Sequence, residues 1–398
     1  MGADTDHSVR KHALLSASGA SRWLNCTPSA RLEEKFEESS PAISSIYADE
    51  GTLAHEFGDL FLRYMHDRIS QLVYDKELKE LRKHALYSPE IEEQVAKYVA
   101  YVHEAYLIAK QRTPDAVLFI EERLDFSHLV EQGFGTGDAG VIADGVVEII
   151  DLKYGKGVEV DAEENPQLML YACGAIQAFE LMYDMHTVRV TIFQPRLDHV
   201  SSWEISVSDL AEWGEKVVKP AAAKAYQGKG AAKAGGHCKW CKVKAMCATL
   251  AAKNMALAKH EFKDPYLLSE ETLLGIFKQQ PMLVDWVNAV SEYILAEALK
   301  GKQWPGYKVV EGRSQRKWTD EEKVIEILSK TNYKKEEYMV SKPAGIPAIE
   351  KLLGKKEFPA LLGEVVNVPQ GKPTLVLESD KRPAMGIEQA KIDFREEI

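Results

Sequence analysis

Three charged side chains, Asp138, Asp151 and Lys153, have types and spacing that suit phosphodiester chemistry. Residues two apart in a strand point to the same face, so Asp151 and Lys153 share a face while Leu152 points into the core. Two carboxylates can hold Mg²⁺ or Mn²⁺, which polarises a phosphoryl oxygen and acidifies a bound water, and a lysine can orient that water. The pattern predicts metal-dependent hydrolysis, and a solvated strand end is the ordinary alternative.

A second candidate metal site consists of closely spaced cysteines. The chain contains five of them: Cys26, Cys173, Cys238, Cys241 and Cys247. A chain that has few cysteines and is expected to be cytosolic rarely forms disulfides. The Cys-x2-Cys-x5-Cys group from Cys238 to Cys247 therefore predicts a bound metal. Three thiolates need a fourth ligand, which His237 or Cys26 can supply, and ligand type leaves zinc and an iron–sulfur cluster both open. We expect Cys173 to be packed in an apolar helix.

The elements that must position these residues follow the order helix, strand, hairpin, helix, strand. Ala143-Asp144-Gly145 between two apolar runs is a hairpin signal, and a hairpin would bring Asp138 close to Asp151. We expect a glycine-rich turn over residues 133–140, and Asn165-Pro166 is typical of a helix start. Helices are predicted over residues 46–66, from Pro89 onward, over 208–226 and from about 254 to 300, and strands over 116–121, 188–193 and 201–206.

Composition narrows the class of protein. The chain has 398 residues, of which 45% are hydrophobic and 28% charged, as is usual for globular proteins. No apolar run is long enough for a membrane span and no signal peptide is evident, so we expect a cytoplasmic protein without a membrane partner. The formal net charge of −11 argues against a surface that coats duplex DNA, but it allows a local basic groove.

Several motifs, taken in order, resemble those of RecB-like nucleases of the PD-(D/E)XK superfamily. They are Gly-x-x-x-His ending at His55, Gly-Thr-Gly-Asp ending at Asp138, Asp151-Leu152-Lys153, and Gln167-x-x-x-Tyr171. The resemblance implies an α/β fold: a restriction-endonuclease-like core with a mixed central sheet flanked by helices, a helical N-terminal insertion and an α-rich C-terminal region.

The same resemblance implies roles for individual residues. His55, Asp138, Asp151 and the Leu152 carbonyl would hold Mg²⁺ or Mn²⁺, and Lys153 would be catalytic together with the two aspartates. Glu121 matches a glutamate of the preceding strand, although Glu122 fits the spacing equally well. The residues implied to contact DNA are Gln167, Tyr171 and Lys156, and for Lys156 a solvated structural role is the alternative.

One cysteine before the core and three after it resemble the iron–sulfur nucleases, namely the AddB-type helicase–nucleases and the CRISPR adaptation nucleases. The resemblance implies a 4Fe–4S cluster on Cys26, Cys238, Cys241 and Cys247 that pins the two ends of residues 1–253, with Zn²⁺ as the alternative. Lysines beside Trp240, at 239, 242 and 244, and a basic stretch at 312–318 are further candidates for contact with single-stranded DNA.

The whole chain also resembles a phage and prophage family of RecB-like proteins classed as a domain of unknown function, through residues 22–26, 151–157 and 371–384. The implied role is that of a DNA exonuclease that processes phage DNA ends in the bacterial cytoplasm, with phage recombination or replication proteins as partners. No Walker motif is present, so no helicase motor is expected. A catalytically inactive DNA-binding or recombination scaffold is the alternative. Residues 254–398 are expected to form a mostly helical second region with a mobile tail from about residue 365.

Overall fold

The centre of the protein is a five-stranded mixed sheet, seen in a computed structural model that describes residues 13–39, 46–258, 269–305 and Tyr307. The strands are β1 (Val117–Asp125), β2 (Phe134–Ala143), β3 (Gly145–Leu152), β4 (Met185–Gln194) and β5 (His199–Ser206), and they lie in that order across the sheet. All neighbours are antiparallel except β3 and β4, which are parallel. A parallel pair needs a crossover connection, and a helix supplies it here.

The hairpin between β2 and β3 confirms the predicted turn, but the segment before it differs from expectation. Residues 133–140 were expected to form a turn, whereas most of them belong to β2. Their glycines serve close packing rather than chain reversal. A Cβ on Gly140 would lie 2.2 Å from the Phe119 ring, and one on Gly135 would lie 2.6 Å from the Tyr171 ring. Gly145, with φ of +83°, is the glycine that the turn itself requires.

Helices cover both faces of the sheet. Their bounds are α1 (Ala20–Asn25), α2 (Ser29–Ser39), α3 (Ile46–Met65), α4 (Gln71–Leu81), α5 (Pro89–Arg112), α6 (Pro166–Phe179), α7 (Val207–Trp213), α8 (Lys219–Tyr226), α9 (Ala248–Ala258) and α10 (Glu270–Leu299). One core contains side chains of α3 and α5, and the other contains side chains of α1, α6, α7 and α8. The expected α/β class, a mixed sheet flanked by helices with a helical region after the cysteines, is confirmed.

Local signals account for most helix boundaries. The Asn165 side chain accepts hydrogen bonds from the backbone N–H groups of Gln167 and Leu168, so α6 begins where Asn165-Pro166 predicts. The single helix expected over residues 208–226 is divided into α7 and α8 by a π-helical turn at Gly214–Val218. Gly214 lies in that turn, and a Cβ there would come within 2.9 Å of Leu129, so close packing accounts for a glycine at this position.

Residues Met1–Val309 form one compact unit, and the boundary expected between residues 253 and 254 stays a prediction, since α9 spans it. The basic stretch at 312–318, the segment 371–384 and the tail from residue 365 lie outside the described residues. None of the described helices combines the length and the apolar character needed to cross a lipid bilayer.

Candidate metal centre and cysteine cavity

Strand register aligns three carboxylates in a row across β1, β2 and β3. Because Ile120 pairs with Ala139 and Glu122 with Gly137, Glu121 lies opposite Asp138. Because Ala139 pairs with Ile150, continuing the register by one residue places Asp138 opposite Asp151. Directly opposed residues in an antiparallel pair have Cβ atoms about 4.5–5.5 Å apart. The row is therefore a direct consequence of the hairpin turn and the pairing of β1 with β2.

Glu121 has a backbone conformation unusual for its type, with φ of +46° inside a strand. Positive φ in a residue other than glycine carries strain, and such residues concentrate at functional sites. Its carboxylate Oε1 lies 3.9 Å from His55 Nδ1. Burial, followed by the charge of Asp138, raises the pKa of Glu121 to about 7. Of the two glutamates that fit the spacing, Glu121 is the one that approaches His55 and Asp138.

His55 joins the row from α3, which lies on one face of the sheet. Its Nδ1 lies 3.3 Å from Asp138 Oδ1. Burial works against an imidazolium, but Asp138, Asp151 and Glu121 outweigh it and raise the pKa of His55 to about 9. Among the described residues, His55, Glu121 and Asp138 form the group whose candidate ligand atoms all lie within 4.8 Å of one another. A nitrogen and several carboxylate oxygens are suitable donors for a divalent ion.

Asp138 is held on its other side by the backbone of β3. Its Oδ2 accepts a hydrogen bond of 2.7 Å from the Leu152 N–H. Although burial opposes ionisation, His55, Lys153 and this N–H lower the pKa of Asp138 below its usual value. Leu152 itself is fully buried in the core beside α3 and α5, as the alternation of the strand predicts. The Asp138 carboxylate is thus oriented before any ion binds.

Buried Asp151 and half-buried Lys153 form an ion pair supported by α6, on the other face of the sheet. Lys153 Nζ lies 2.7 Å from Asp151 Oδ2. Gln167 Nε2 donates to Asp151 Oδ1 at 3.1 Å, and Gln167 Oε1 accepts from Lys153 Nζ at 3.3 Å. Burial and the charge of Asp138 raise the pKa of Asp151, and Lys153 offsets them in part. One amide side chain therefore fixes both members of the pair.

The two remaining residues that the resemblance connects with DNA have different surroundings. The Tyr171 hydroxyl lies 3.4 Å from Gln167 Nε2, and its ring is buried beneath Gly135. Lys156 is exposed, and its Nζ lies 3.2 Å from Glu90 Oε1 on α5. Tyr171 belongs to the network under Asp151, whereas Lys156 lies at the surface.

Two side chains near the site were not singled out in the sequence. Tyr98 on α5 is buried, and the charges that act on its hydroxyl are those of Asp138, Asp151 and Glu121. Arg196 contacts Glu50 on α3 at 2.7 Å and lies over the Tyr154 ring at 4.6 Å, so it ties α3 to the segment after Lys153. Tyr98 occurs among the apolar residues of a helix face, a pattern that predicts only core packing.

The cysteines of the motif lie around a second site. Cys26, Cys238, Cys241 and Cys247 all line one small cavity, together with His237. The loop from 235 to 247 folds through successive backbone turns, with the Cys238 N–H bonded to Gly235 O and the Cys241 N–H to Cys238 O. No three of these sulfurs lie mutually within 4.8 Å among the described residues.

Buried Glu33 connects the loop to the N-terminal helices. It accepts a hydrogen bond of 2.9 Å from the Lys242 N–H and lies 3.2 Å from Arg22 Nε. Burial raises the pKa of the Cys241 thiol to about 12 and also raises the pKa of Cys238. Cys173 lies apart from the cavity, buried on α6, as expected from its apolar surroundings.

The chain belongs to the family described as "Protein of unknown function (DUF2800)", whose model matches residues 12–383. A candidate exonuclease from Eubacterium rectale has a similar structure, with 12% identity and a TM-score of 0.35, over 69% of this chain and 98% of that one. The protein SSO0001 shares 15% identity with a TM-score of 0.22, over 55% of this chain and 94% of that one. Likenesses of this size leave the function to be argued from the site itself.

Proposed function

We propose that the protein is a metal-dependent deoxyribonuclease, and that it acts as an exonuclease on DNA ends. The observation that carries this proposal is the row of Glu121, Asp138 and Asp151 across three strands, with Lys153 paired to the last member and His55 above the second. Carboxylates that converge in a partly buried site repel one another, and a divalent cation relieves that repulsion.

The donors present fit Mg²⁺ or Mn²⁺. His55, Glu121 and Asp138 would hold the ion, and Asp151 would join them when its pairing with Lys153 opens. A bound divalent ion supplies Lewis acidity toward the phosphate and a nucleophilic water near neutral pH. The raised pKa of His55 indicates that a proton occupies the imidazole where the ion would otherwise bind.

The protein's own groups would act by position and charge. Lys153 is half-buried beside two aspartates, whose charges outweigh the effect of burial, keep its ammonium charged and raise its pKa. A charged lysine held by Gln167 and Asp151 can orient the attacking water and offset the negative charge that develops on the phosphate. Gln167 does not ionise, so its hydrogen bond to Lys153 does not depend on pH.

We further propose a biological substrate for the metal centre and a cofactor for the cysteine cavity. DNA ends of phage origin would be the substrate, in the bacterial cytoplasm, with phage recombination or replication proteins as partners. A 4Fe–4S cluster on the four cavity cysteines would join the two ends of residues 1–253. Its support is that all four of these cysteines line one small cavity.

The deciding experiment is degradation of end-labelled single- and double-stranded DNA by the full chain with Mg²⁺, Mn²⁺ or Ca²⁺. We expect the wild type to release labelled nucleotides with Mg²⁺ or Mn²⁺, and Asp151→Asn and Lys153→Met to lose on the order of 10³-fold in rate. Glu122→Gln, at the exposed position next to Glu121, is the matched control and should retain activity. A wild type no faster than the two variants would leave a DNA-binding scaffold as the remaining function.

A further inference from the structure

The distribution of charge around the cysteine cavity is opposite to that of the whole chain. Acidic residues outnumber basic ones 61 to 50 overall. Residues 216–258, however, contain nine lysines and no aspartate or glutamate. A single-sign stretch in an acidic protein creates a local positive field that attracts polyanions. This stretch surrounds and includes the three clustered cysteines.

Several of these lysines are not neutralised by ion pairs. Four have carboxylate partners: Lys216 with Glu212, Lys219 with Glu215, Lys242 with Glu37 and Lys244 with Asp285. The other five are exposed, and the ion pairs of the described chain do not include them: Lys224, Lys229, Lys233, Lys239 and Lys253. Their positive charge is therefore available to a ligand.

Two grooves bring these lysines together on either side of the cysteine cavity. One, of about 370 Å³, is lined by Lys224 and Lys233 and contains no carboxylate. The other, of about 450 Å³, is lined by Lys239, Lys253 and Lys278, and by one carboxylate, Asp285, which pairs with Lys244. Lys233 lines both the first groove and the cysteine cavity, and Cys238 lines both that cavity and the second groove. The lysines therefore lie around the cysteine loop, in two grooves that each share a lining residue with the cysteine cavity.

An exposed aromatic ring stands on the same surface. Trp240 is 67% exposed, with Lys239 Nζ 5.1 Å from its ring centroid. A large exposed ring beside cations is the combination that binds single strands, since bases stack on the ring while lysines contact phosphates. An acidic protein could pair its carboxylates with the lysines, but it would offer no base to stack on the Trp240 ring.

We propose that the lysine surface, defined as Lys224, Lys233, Lys239, Lys253 and Trp240, binds single-stranded DNA through its phosphates and one stacked base. The identity of the polyanion as DNA rests on the proposed function. The surface would hold the strand independently of the metal centre, since none of its residues belongs to the carboxylate row. It also gives the acidic chain the local basic groove that a nuclease needs.

The test is fluorescence anisotropy of labelled oligo(dT) with the full chain, without divalent ions, over a series of KCl concentrations. Lys224→Ala/Lys233→Ala should weaken binding tenfold or more and reduce the slope of log Kd against log salt by about 1.4, at about 0.7 per phosphate contact. Trp240→Ala should weaken binding by about fivefold or more without changing the slope. Lys76→Ala/Lys79→Ala, two exposed lysines on α4, is the charge-matched control.

A wild-type slope in Lys224→Ala/Lys233→Ala, or an equal loss of binding in the control, would overturn the lysine surface. So would displacement of oligo(dT) by poly-glutamate as efficiently as by unlabelled oligo(dT). The assay needs no cleavage, so failures can be told apart. An inactive wild type with salt-dependent binding rejects the nuclease activity alone, and an active enzyme whose variants bind normally rejects the surface alone.

A separate observation concerns the Tyr98 hydroxyl. Tyr98 is 2% exposed, and among the described residues its hydroxyl has no hydrogen-bond partner. Its ring lies against Gly58, where a Cβ would be 3.4 Å from Cε1, and Gly58 is one helical turn after His55. Burial and the charges of Asp138, Asp151 and Glu121 raise its pKa well above the usual value, so the hydroxyl is a neutral donor.

A buried hydroxyl without a partner destabilises the fold, and phenylalanine would fill the same space without that penalty. We infer that Tyr98 is a positioning residue that donates a hydrogen bond into the metal centre once a divalent ion and its water are bound. The inference rests on the proposed function. It explains why a polar atom without a partner lies in the core that also contains Ile150, Leu152 and Phe193.

Tyr98→Phe separates this role from packing because the two effects have opposite signs. The metal-free variant should melt at or above the wild-type temperature, while its Mn²⁺ affinity by calorimetry falls about tenfold and kcat falls with little change in KM. Tyr101→Phe, whose ring also contacts Phe193, is the matched control. A less stable metal-free Tyr98→Phe, or one with wild-type Mn²⁺ affinity, overturns the inference. A wild type that binds no Mn²⁺ rejects the metal centre itself.

Discussion

The carboxylate row and the cysteine cavity bring reactive side chains together by different means. Asp138 and Asp151 stand on two strands joined by a tight turn, so the register of one hairpin aligns them. Cys26 and Cys238 are 212 residues apart and meet only when the N-terminal helices and the cysteine loop pack together. The first site depends on the pairing of neighbouring strands, whereas the second depends on packing between segments that are distant along the chain.

The two sites also differ in how their polar groups are held without a ligand. The row has a hydrogen bond or ion pair at each carboxylate, through Leu152, Gln167, Lys153 and His55. The cysteine thiols have mainly backbone neighbours, such as the Gly235 N–H 3.4 Å from Cys238 Sγ. We therefore expect changes in the row to affect activity and changes in the cavity to affect stability.

The largest expected effect is the loss of activity on removing a metal donor. His55→Ala and Asp138→Asn should each reduce DNA degradation on the order of 10³-fold, because the ion loses a ligand that was already oriented. Without metal, Asp138→Asn should melt close to the wild type because it removes one of three crowded carboxylates, whereas His55→Ala should melt lower at neutral pH because the protonated imidazole paired with Asp138 is lost. End-labelled DNA assays and thermal melts measure the two quantities. A large loss of stability with Asp138→Asn would break the distinction between the sites.

The next effect belongs to the cysteine cavity. Cys241→Ser should remove the proposed cluster and lower the melting temperature by roughly 10 °C, because a link between distant segments is lost. Cys173→Ser, buried outside the cavity, is the matched control and should keep both the cluster and its visible absorbance. Iron and zinc analysis of anaerobically purified protein identifies the metal. One zinc in colourless protein would refute the iron–sulfur proposal.

The choice between adjacent glutamates sharpens the description of the row. Glu121→Gln should reduce activity on the order of 10²-fold, because its carboxylate approaches His55, and Glu122→Gln should have little effect. Glutamine keeps the size of the Glu121 side chain, so this substitution removes the charge without removing the side chain. Equal effects of the two substitutions would show that the Glu121 carboxylate is not a metal ligand.

A smaller effect is expected from the amide beneath the row. Gln167→Ala removes one side chain that bonds both Asp151 and Lys153, so kcat should fall roughly 10- to 100-fold, as for other groups that orient metal ligands. Tyr171→Phe removes only the weak contact to Gln167 and should cost less. Mn²⁺ affinity and kcat measured together distinguish lost orientation from lost binding. Wild-type kcat for Gln167→Ala would contradict the role of this network.

The smallest effect is the pH dependence of stability without metal. The pKa of His55 is about 9 in the folded chain against an ordinary 6.5, so its proton stabilises the fold fully below pH 6.5 and less as pH rises toward 9. The raised pKa of Glu121, about 7, acts in the same direction between about pH 4.5 and 7. The metal-free melting temperature should therefore fall by several degrees from pH 6 to pH 9.

Mn²⁺ competes with the His55 proton, so its stabilising effect should grow over the same pH range. Melts at matched ionic strength with and without Mn²⁺ measure both trends. The pH-dependent loss should be smaller in His55→Ala. A metal-free stability that rises between pH 6 and pH 9 would contradict the protonated histidine.

Much of the carboxylate row was predictable because its determinants are local. The two-residue period of a strand places Asp151 and Lys153 on one face, and the turn at Asp144-Gly145 sets the register that brings Asp138 opposite Asp151. The cap at Asn165 predicts where α6 begins, and hence where Gln167 lies. These are short-range rules, and the structure agrees with each of them.

Other features depended on contacts that no local pattern records. The glycines before Asp138 were expected to form a turn, yet they lie in β2 because Phe119 and Tyr171 occupy the space above them. The choice of Glu121 over Glu122 depends on the pairing of β1 with β2, which places Glu121 opposite Asp138. Tyr98 resembles any core residue of a helix until the carboxylates beyond it are located.

By itself, the sequence determined the order of elements, the hairpin and its aspartates, and the cysteines whose spacing predicts a metal. Only the tertiary structure decided that His55 reaches the row from one face of the sheet while Gln167 reaches it from the other, and that Cys26 lines the same cavity as Cys238. The reason is physical: hydrogen-bond periodicity and turn geometry act over a few residues, whereas helix packing and burial join residues that are distant along the chain.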